Sequence, residues 1–416
     1  MGGAYRPLEG IRVVELSTMV AASSCGRMLA DWGCDVVKVE SPEGDMYRQV
    51  PAFFNVPCSM DENPLFDSLN AGKEGIVLDL KTREGMEVMH RLLAEADIFI
   101  TNNRKKALDR LGLNYESLKG KYPKLIFATI TGFGDAGPKA DAPGFDTVAF
   151  WASSGFNADM MVDEPGAYPV YSSSGPGDII SAMGLCYAIT AALYKRTQTG
   201  IGDRVTISLY GTALWCFSLM AVASEERYGY KYPRTREQSS PTGSPYRTKD
   251  GEWVMATIVQ FDKHWPKLCE ALELNDLAND PRYASTVRQR LPENNKYLVH
   301  RLEEAYAKFT CDEICQRLRD ADIAHDRLAH YREMEHSEQA WANEFIHCVT
   351  CPNGKESVLV RPPMRSEKMG IPTWKRGPML GEHTDKVLNR LGYTSEEISA
   401  YKENGGVRQL HMGSEG

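Results

Sequence analysis

Short β-branched runs alternate with helical-period segments through the first half of the chain. Residues 11–16, Ile-Arg-Val-Val-Glu-Leu, predict a strand, the small residues of 21–32 a helix, and residues 36–40 a second strand. The alternation returns with a strand at 76–80, then an apolar helical face at Met86, Val88, Met89, Leu92 and Leu93, and further strands at 98–101 and 125–131. Strand, helix, strand units of this kind predict a parallel sheet covered by helices, the α/β class.

Residues 178–194 are apolar on nearly every side, which predicts a helix buried in the core or between subunits, ended by Thr199-Gly200-Ile201-Gly202. A strand at 205–209 and a long apolar helix at 212–225 follow, and the polar stretch 226–240 reads as a linker. A second domain begins near Pro245 with a hairpin, 246–248 and 253–259, turned by Lys249-Asp250-Gly251-Glu252. Helices are predicted at 262–272, 296–309 and 311–319, the last opened by a capping box of Thr310 and Glu313, and Thr394 with Glu397 opens a final helix. The tail from Val358 lacks the elements of an independent core. The predicted organisation is a large domain from 1–225, a linker at 226–244, a small α+β domain at 245–330, and a return segment at 331–416 that completes the large domain.

The 416 residues carry 48 Lys and Arg against 56 Asp and Glu, and the net charge of −8 argues against nucleic acid as a partner. No run reaches the ~18 apolar residues that span a bilayer, since 179–194 is interrupted by Ser181 and Gly184. The opening Met-Gly-Gly-Ala-Tyr-Arg has no apolar export signal, so a cytoplasmic protein without a membrane partner is expected. Ten scattered cysteines read as reduced thiols. Cys311 with Cys315, and His347 with Cys348 and Cys351, lack the converging fourth ligand of a zinc site, so no metal is expected.

Candidate chemistry lies in the loops. Residues 19–24 follow the first strand, where an open α/β sheet binds ligands, although a tight turn of small residues explains them equally. No G-x-G-x-x-G and no Walker motif is present. Residues 101–112 place Arg104, Lys105, Lys106 and Arg110 directly after a strand, which suits phosphate or a solvated helix face. In Ser172-Ser173-Ser174-Gly175-Pro176-Gly177-Asp178, the carboxylate of Asp178 falls at a helix start. An N-cap is the plainer local reading, and a desolvated nucleophile the alternative. Asp146, in Pro143-Gly144-Phe145-Asp146, is a second carboxylate on a glycine turn.

Taken in order, Leu8-Glu9-Gly10-Ile11-Arg12-Val13-Val14-Glu15-Leu16, Gly33-Cys34-Asp35-Val36-Val37-Lys38-Val39-Glu40-Ser41-Pro42, Leu78-Asp79-Leu80-Lys81 and Ala107-Leu108-Asp109-Arg110-Leu111-Gly112 resemble the class III CoA-transferase family. So do Thr131-Gly132-Phe133-Gly134, Gly177-Asp178, Thr199 to Val205 and Gly381-Glu382-His383-Thr384. Asn70-Ala71-Gly72-Lys73, Tyr122-Pro123-Lys124-Leu125 and Gln339-Ala340-Trp341-Ala342-Asn343 make the likeness one to the cinnamoyl-CoA:phenyllactate and 2-hydroxyisocaproate branch.

The resemblance implies a Rossmann-like large domain built from both chain ends, a smaller inserted domain and an interlocked homodimer. It implies reversible transfer of CoA from an acyl-CoA to a small carboxylic acid, here a 2-hydroxy acid, with acyl-CoA as substrate and no permanently bound cofactor. A 2-hydroxyacyl-CoA dehydratase of amino-acid fermentation would be the functional neighbour. The family's nucleophile falls on Asp178, and its CoA contacts on Met19, Val20, Lys81, Asn102, Asn103 and Arg110, with Lys38 a further candidate. Backbone amides near Gly175 and Gly177, with Phe145 and Asp146, are the oxyanion and substrate-pocket candidates. Two departures stand out: Ser41 replaces an arginine common among relatives, and no glycine-run loop is visible. The racemases of the same fold, acting on α-methylacyl-CoA, need a histidine where this chain has Phe145. Transfer to a bile-acid, carnitine-type or dicarboxylate substrate, or a non-catalytic CoA-binding role, are the other readings.

Overall fold

The computed structural model describes residues 6–170, 172–369 and 375–409. Its strands are β1 (Arg12–Leu16), β2 (Asp35–Glu40), β3 (Glu74–Leu78), β4 (Ile98–Thr101), β5 (Ile126–Thr131), β6 (Arg204–Ser208), β7 (Pro245–Arg247), β8 (Trp253–Thr257), β9 (Ala324–Arg327), β10 (Ile346–Thr350), β11 (Glu356–Val360) and β12 (Val407–Arg408). The described residues divide into two units, one drawn from Met1–Gly155, Ser172–Ala221 and Ser337–Gly416, the other from Phe156–Tyr171 and Val222–His336.

The first unit is built on a seven-stranded sheet of order β12-β3-β2-β1-β4-β5-β6. β1 to β6 run parallel, and β12 closes the β3 edge antiparallel. Buried β-branched and aromatic residues on both faces drive this arrangement. On one face Val13, Ile98, Ile100 and Ala128 pack against the helices Ala21–Asp31 and Pro176–Thr199. On the other, Val14, Val37, Phe99 and Phe127 pack against Arg83–Glu95, Lys105–Leu111 and Thr384–Arg390. Strand order reverses between β1 and β4, the switch point at whose carboxyl ends ligands bind in such sheets. The return segment completes this sheet edge: Thr384 Oγ1 accepts from the Val77 amide, and His383 Nδ1 from Gly75.

The second unit holds the predicted hairpin, β7 against β8, and a third strand, β9, that alternation did not reveal. Exposure at three of its four positions, Ala324, Asp326 and Arg327, removes the apolar signal. Both capping boxes, at Thr310 and Thr394, are present. The stretch read as a linker is instead part of this unit. Arg236 reaches Glu303 at 2.9 Å, and Asn295 donates to the Ser239 carbonyl at 3.0 Å. Residues 156–170, counted with the large domain in the sequence, also belong here.

Two further expectations change. The 212–225 helix is two, Leu209–Cys216 and Ser218–Ala223, broken at Phe217, whose ring packs on Phe150 and Trp151. The helix Pro176–Thr199 is, among the described residues, long and apolar enough by length and composition to cross a membrane. Ser181 and Gly184 do not break it, because Ser181 is buried within the protein fold with Ala182, Leu185 and Ile189. Its opposite side exposes Ile180, Met183, Tyr187 and Tyr194.

Candidate active site

The helix Pro176–Thr199 starts from Gly175 in the left-handed region, φ +105°, with proline in its first turn. Its first amides need an acceptor, and Asp178 does not supply it. Asp146 does: its Oδ2 accepts from the Gly175 amide at 2.8 Å and from the Trp151 indole at 3.0 Å, and its Oδ1 from the Asp178 amide at 3.1 Å. Asp146, at 2% exposure, is therefore the capping carboxylate, delivered by the π-helical segment Asp146–Ala152. This corrects two sequence readings. Asp178 is no cap, and the amide at Gly175 is turned onto Asp146 instead of facing a substrate oxyanion.

Gly177 is forced by the same contact. A Cβ there would lie 2.3 Å from both Asp146 Oδ1 and the Phe150 ring. Gly177→Ala is expected to destabilise the protein by ~1–3 kcal/mol through overpacking, read as a lower melting temperature.

With the capping role filled, the Asp178 carboxylate is left over at the helix start. Burial, and then the charge of Asp146, push it up to about 7. Asp178 lines a cavity of about 430 Å³ together with Thr18, Met19, Val20, Ala21, Asn102, Asn103, Phe145 and Leu209. Arg104, Lys105, Asp135, Asp141 and Arg204 also line it, with Lys105 paired to Asp109 and Arg204 to Asp135, each at 2.7 Å. A hollow of about 290 Å³ adjoins, sharing Asn103, Lys105, Asp135 and Arg204. The helix Ala21–Asp31 opens onto the main cavity with no side-chain cap, so its first-turn dipole favours negative charge there.

The structure thus brings Met19, Val20, Asn102, Asn103, Phe145 and Asp178 together at the β1 and β4 ends. Other candidates fall elsewhere. Lys38 is fully buried, its Nζ 3.0 Å from Glu15 Oε1 and 2.9 Å from Asp45 Oδ2, so it holds the protein and not a phosphate. Lys81 is exposed after β3 and Arg110 exposed on its helix, and neither lines the cavity. The Asn102 amide is spent on the loop, donating to the Thr18 carbonyl at 2.7 Å and accepting from the Thr18 amide at 3.2 Å.

Sequence reasoning passed over Thr18, Asp135 and Arg204, and favoured Arg110 over Arg104 and Lys105. Helix phase was the available signal: the helix begins at Lys105, so residues 104 and 105 stay beside the end of β4 while Arg110 is more than a turn away.

A model of CoA-transferase family III matches residues 8–384. An (R)-2-hydroxy-4-methylpentanoate CoA-transferase from Clostridioides difficile is 39% identical over 402 residues, 96% of this chain and 99% of that one. A cinnamoyl-CoA:phenyllactate CoA-transferase from Clostridium sporogenes is 38% identical over 95% of this chain and 96% of its own. Among solved structures, a CAIB/BAIF family protein from Brucella suis superposes with a TM-score of 0.78 at 28% identity, over 92% of this chain and 99% of that one.

Proposed function

The chain belongs to CoA-transferase family III, and we propose that it moves CoA reversibly from an acyl-CoA to a free 2-hydroxy acid, such as phenyllactate or 2-hydroxyisocaproate, with Asp178 as nucleophile. The observation that carries this reading is a carboxylate at the cavity wall that is relieved of capping by Asp146. The two relatives named for 2-hydroxy-acid or phenyllactate transfer support the substrate class.

In the proposed cycle an Asp178 oxygen attacks the thioester carbon, the C–S bond breaks, and CoA leaves as thiolate from an acyl-aspartyl anhydride. The thiolate attacks the aspartyl carbonyl and expels the donor acid, leaving an aspartyl-CoA thioester. The acceptor carboxylate attacks that carbonyl, CoA leaves again, and its return to the acceptor's carbonyl releases product and restores Asp178. The anhydride conserves the transfer potential of the thioester. Negative charge developing on the carbonyl oxygens is met by the uncapped first turn of Ala21–Asp31.

CoA is long and phosphate-bearing, which matches a cavity that joins the apolar Met19, Val20 and Phe145 to Arg104, Lys105 and Arg204; phosphate would compete there with Asp109 for Lys105 and with Asp135 for Arg204, each now paired at 2.7 Å. Replacing Arg104 and Lys105 together by Ser is expected to raise the KM for acyl-CoA about tenfold and leave that for the free acid within twofold. Steady-state kinetics with each substrate varied checks this. Phe145 has no proton to move, which disfavours racemisation at this site.

We further read the chain as a homodimer. Ile180, Met183, Tyr187 and Tyr194 form an exposed apolar stripe on one helix face, of the kind a second subunit covers. Light scattering of wild type and of Tyr187→Glu tests it, with a dimer and a loss of dimer expected. A 2-hydroxyacyl-CoA product suits a following dehydratase.

Mass spectrometry tests the reaction. Cinnamoyl-CoA or acetyl-CoA is mixed with a panel of acids that includes phenyllactate and 4-methyl-2-hydroxypentanoate. A new 2-hydroxyacyl-CoA with release of the donor acid is expected. Exchange with dicarboxylates alone would overturn the substrate class, and no exchange with any acid would overturn transfer.

A further inference from the structure

Beneath the loop that carries Met19 lies a buried carboxylate that is not among the residues lining the Asp178 cavity. Asp45 is 4% exposed, and its Oδ1 accepts from Thr18 Oγ1 at 2.8 Å, from the Met19 amide at 2.9 Å and from the Tyr47 amide at 2.9 Å. Its Oδ2 pairs with Lys38 Nζ at 2.9 Å, and Lys38 in turn pairs with Glu15. Glu15 is also held by Lys73 at 2.7 Å, so the carboxylate is anchored in a buried charge network. That network cannot shift without leaving a charge unpaired in the interior.

The loop it grips is strained. Met19 has φ +65°, a conformation that a residue with a Cβ seldom adopts unless its surroundings impose it. The imposing contacts are Asp45 on one side and Asn102 on the other. The consequence reaches the reacting carboxylate, because Met19 and Val20 share the cavity wall with Asp178, and a Cβ on Gly175 would stand 4.0 Å from Val20 Cγ1.

We infer that Asp45 is a positioning residue for transfer, fixing the Thr18–Met19 turn that shapes the acyl-CoA side of the cavity and, through its third bond, the turn Met46–Gln49 that carries Tyr47. The inference rests on the reaction proposed above. Tyr47 stands within the field of that site: burial first, and then the charge of Asp178, raise its phenol above the ordinary tyrosine range.

The test compares Asp45→Ala with Asp45→Asn. Both strip Lys38 of a counter-ion, and both are expected to melt earlier than wild type. Asparagine keeps an oxygen toward Thr18, Met19 and Tyr47, whereas alanine releases the loop. Asp45→Ala is expected to raise the KM for acyl-CoA about tenfold, with the KM for the free acid within about twofold, and Asp45→Asn to stay within about threefold of wild type on both. Equal KM increases in the two variants would make Asp45 a merely structural charge, and an acyl-CoA KM unmoved in Asp45→Ala would remove the role. Thr18→Val leaves every buried ion pair intact and covers the case of an alanine variant that does not fold. Its acyl-CoA KM is expected to rise about threefold, and no change would overturn the inference. Wild-type protein in the same assay separates the claims: no exchange there would end the reaction and this role with it, while wild-type turnover with unaltered variants would end the role alone.

Discussion

Asp178→Ala is expected to lower CoA transfer by about a thousandfold or more, with acyl-CoA binding and folding retained. The substitution removes the carboxylate that would carry both the anhydride and the thioester, and it leaves the helix cap at Asp146 untouched. Asp178→Asn should be as inactive, since the amide is no nucleophile at this carbon. The pH dependence follows from the environment of the group. An ordinary aspartate titrates near 3.8, and burial together with the charge of Asp146 pushes Asp178 up to about 7. The anion is the attacking form, so kcat/KM for acyl-CoA should fall as pH drops below about 7 and level off above about 8. Stability runs the opposite way. A carboxyl raised in the folded state contributes stability that is full below its unfolded value and is lost as pH rises through its folded one. Asp178→Asn should therefore melt above wild type at pH 8 and close to it at pH 4. Melting curves at the two values, and rates across the range, check both signs.

Asp146→Ala is expected to destabilise the protein by about 3 kcal/mol and to lower turnover by one to two orders of magnitude. Its carboxylate, 2% exposed, satisfies the amides of Gly175 and Asp178 and the indole of Trp151, so truncation strips three donors of their acceptor, the Gly175 amide in a buried site. The helix that carries Asp178 would then lose both its cap and its register. Asp146→Asn separates charge from geometry. It removes the negative charge that raises Asp178, so the acid limb of the rate profile should move to lower pH even where the rate falls. An acid limb that stays in place would mean that burial alone sets the titration of Asp178.

The sheet was largely legible because parallel strands buried on both faces leave continuous β-branched runs, and β1, β2, β4 and β5 lie where those runs stand. β9 and β12 were not, since the first is mostly exposed and the second is two residues long, taking its place from the edge of β3 and not from its own pattern. The polar stretch after residue 225 looks like a linker because its contacts are made by Arg236 and Asn295 side chains, which carry no hydropathy signal. At the site, sequence located the loop after β1 and the Gly177-Asp178 turn. The division of labour between two aspartates was beyond it, because the Asp146 contacts span 29 and 32 residues and depend on a glycine with no Cβ at 177. Lys38 reads as a further candidate CoA contact for a related reason: a lysine among β-branched residues looks the same whether it faces solvent or a buried Glu15.

Covalent trapping on Asp178 tests the central claim most directly. Protein incubated with acyl-CoA is treated with hydroxylamine, digested, and its peptides are analysed by mass spectrometry. An anhydride or thioester on the enzyme should yield a hydroxamate on the peptide that contains residue 178, localised to Asp178 and absent when acyl-CoA is omitted. Full transfer activity with no such modification, or with the hydroxamate on another carboxylate such as Asp146, would contradict the account.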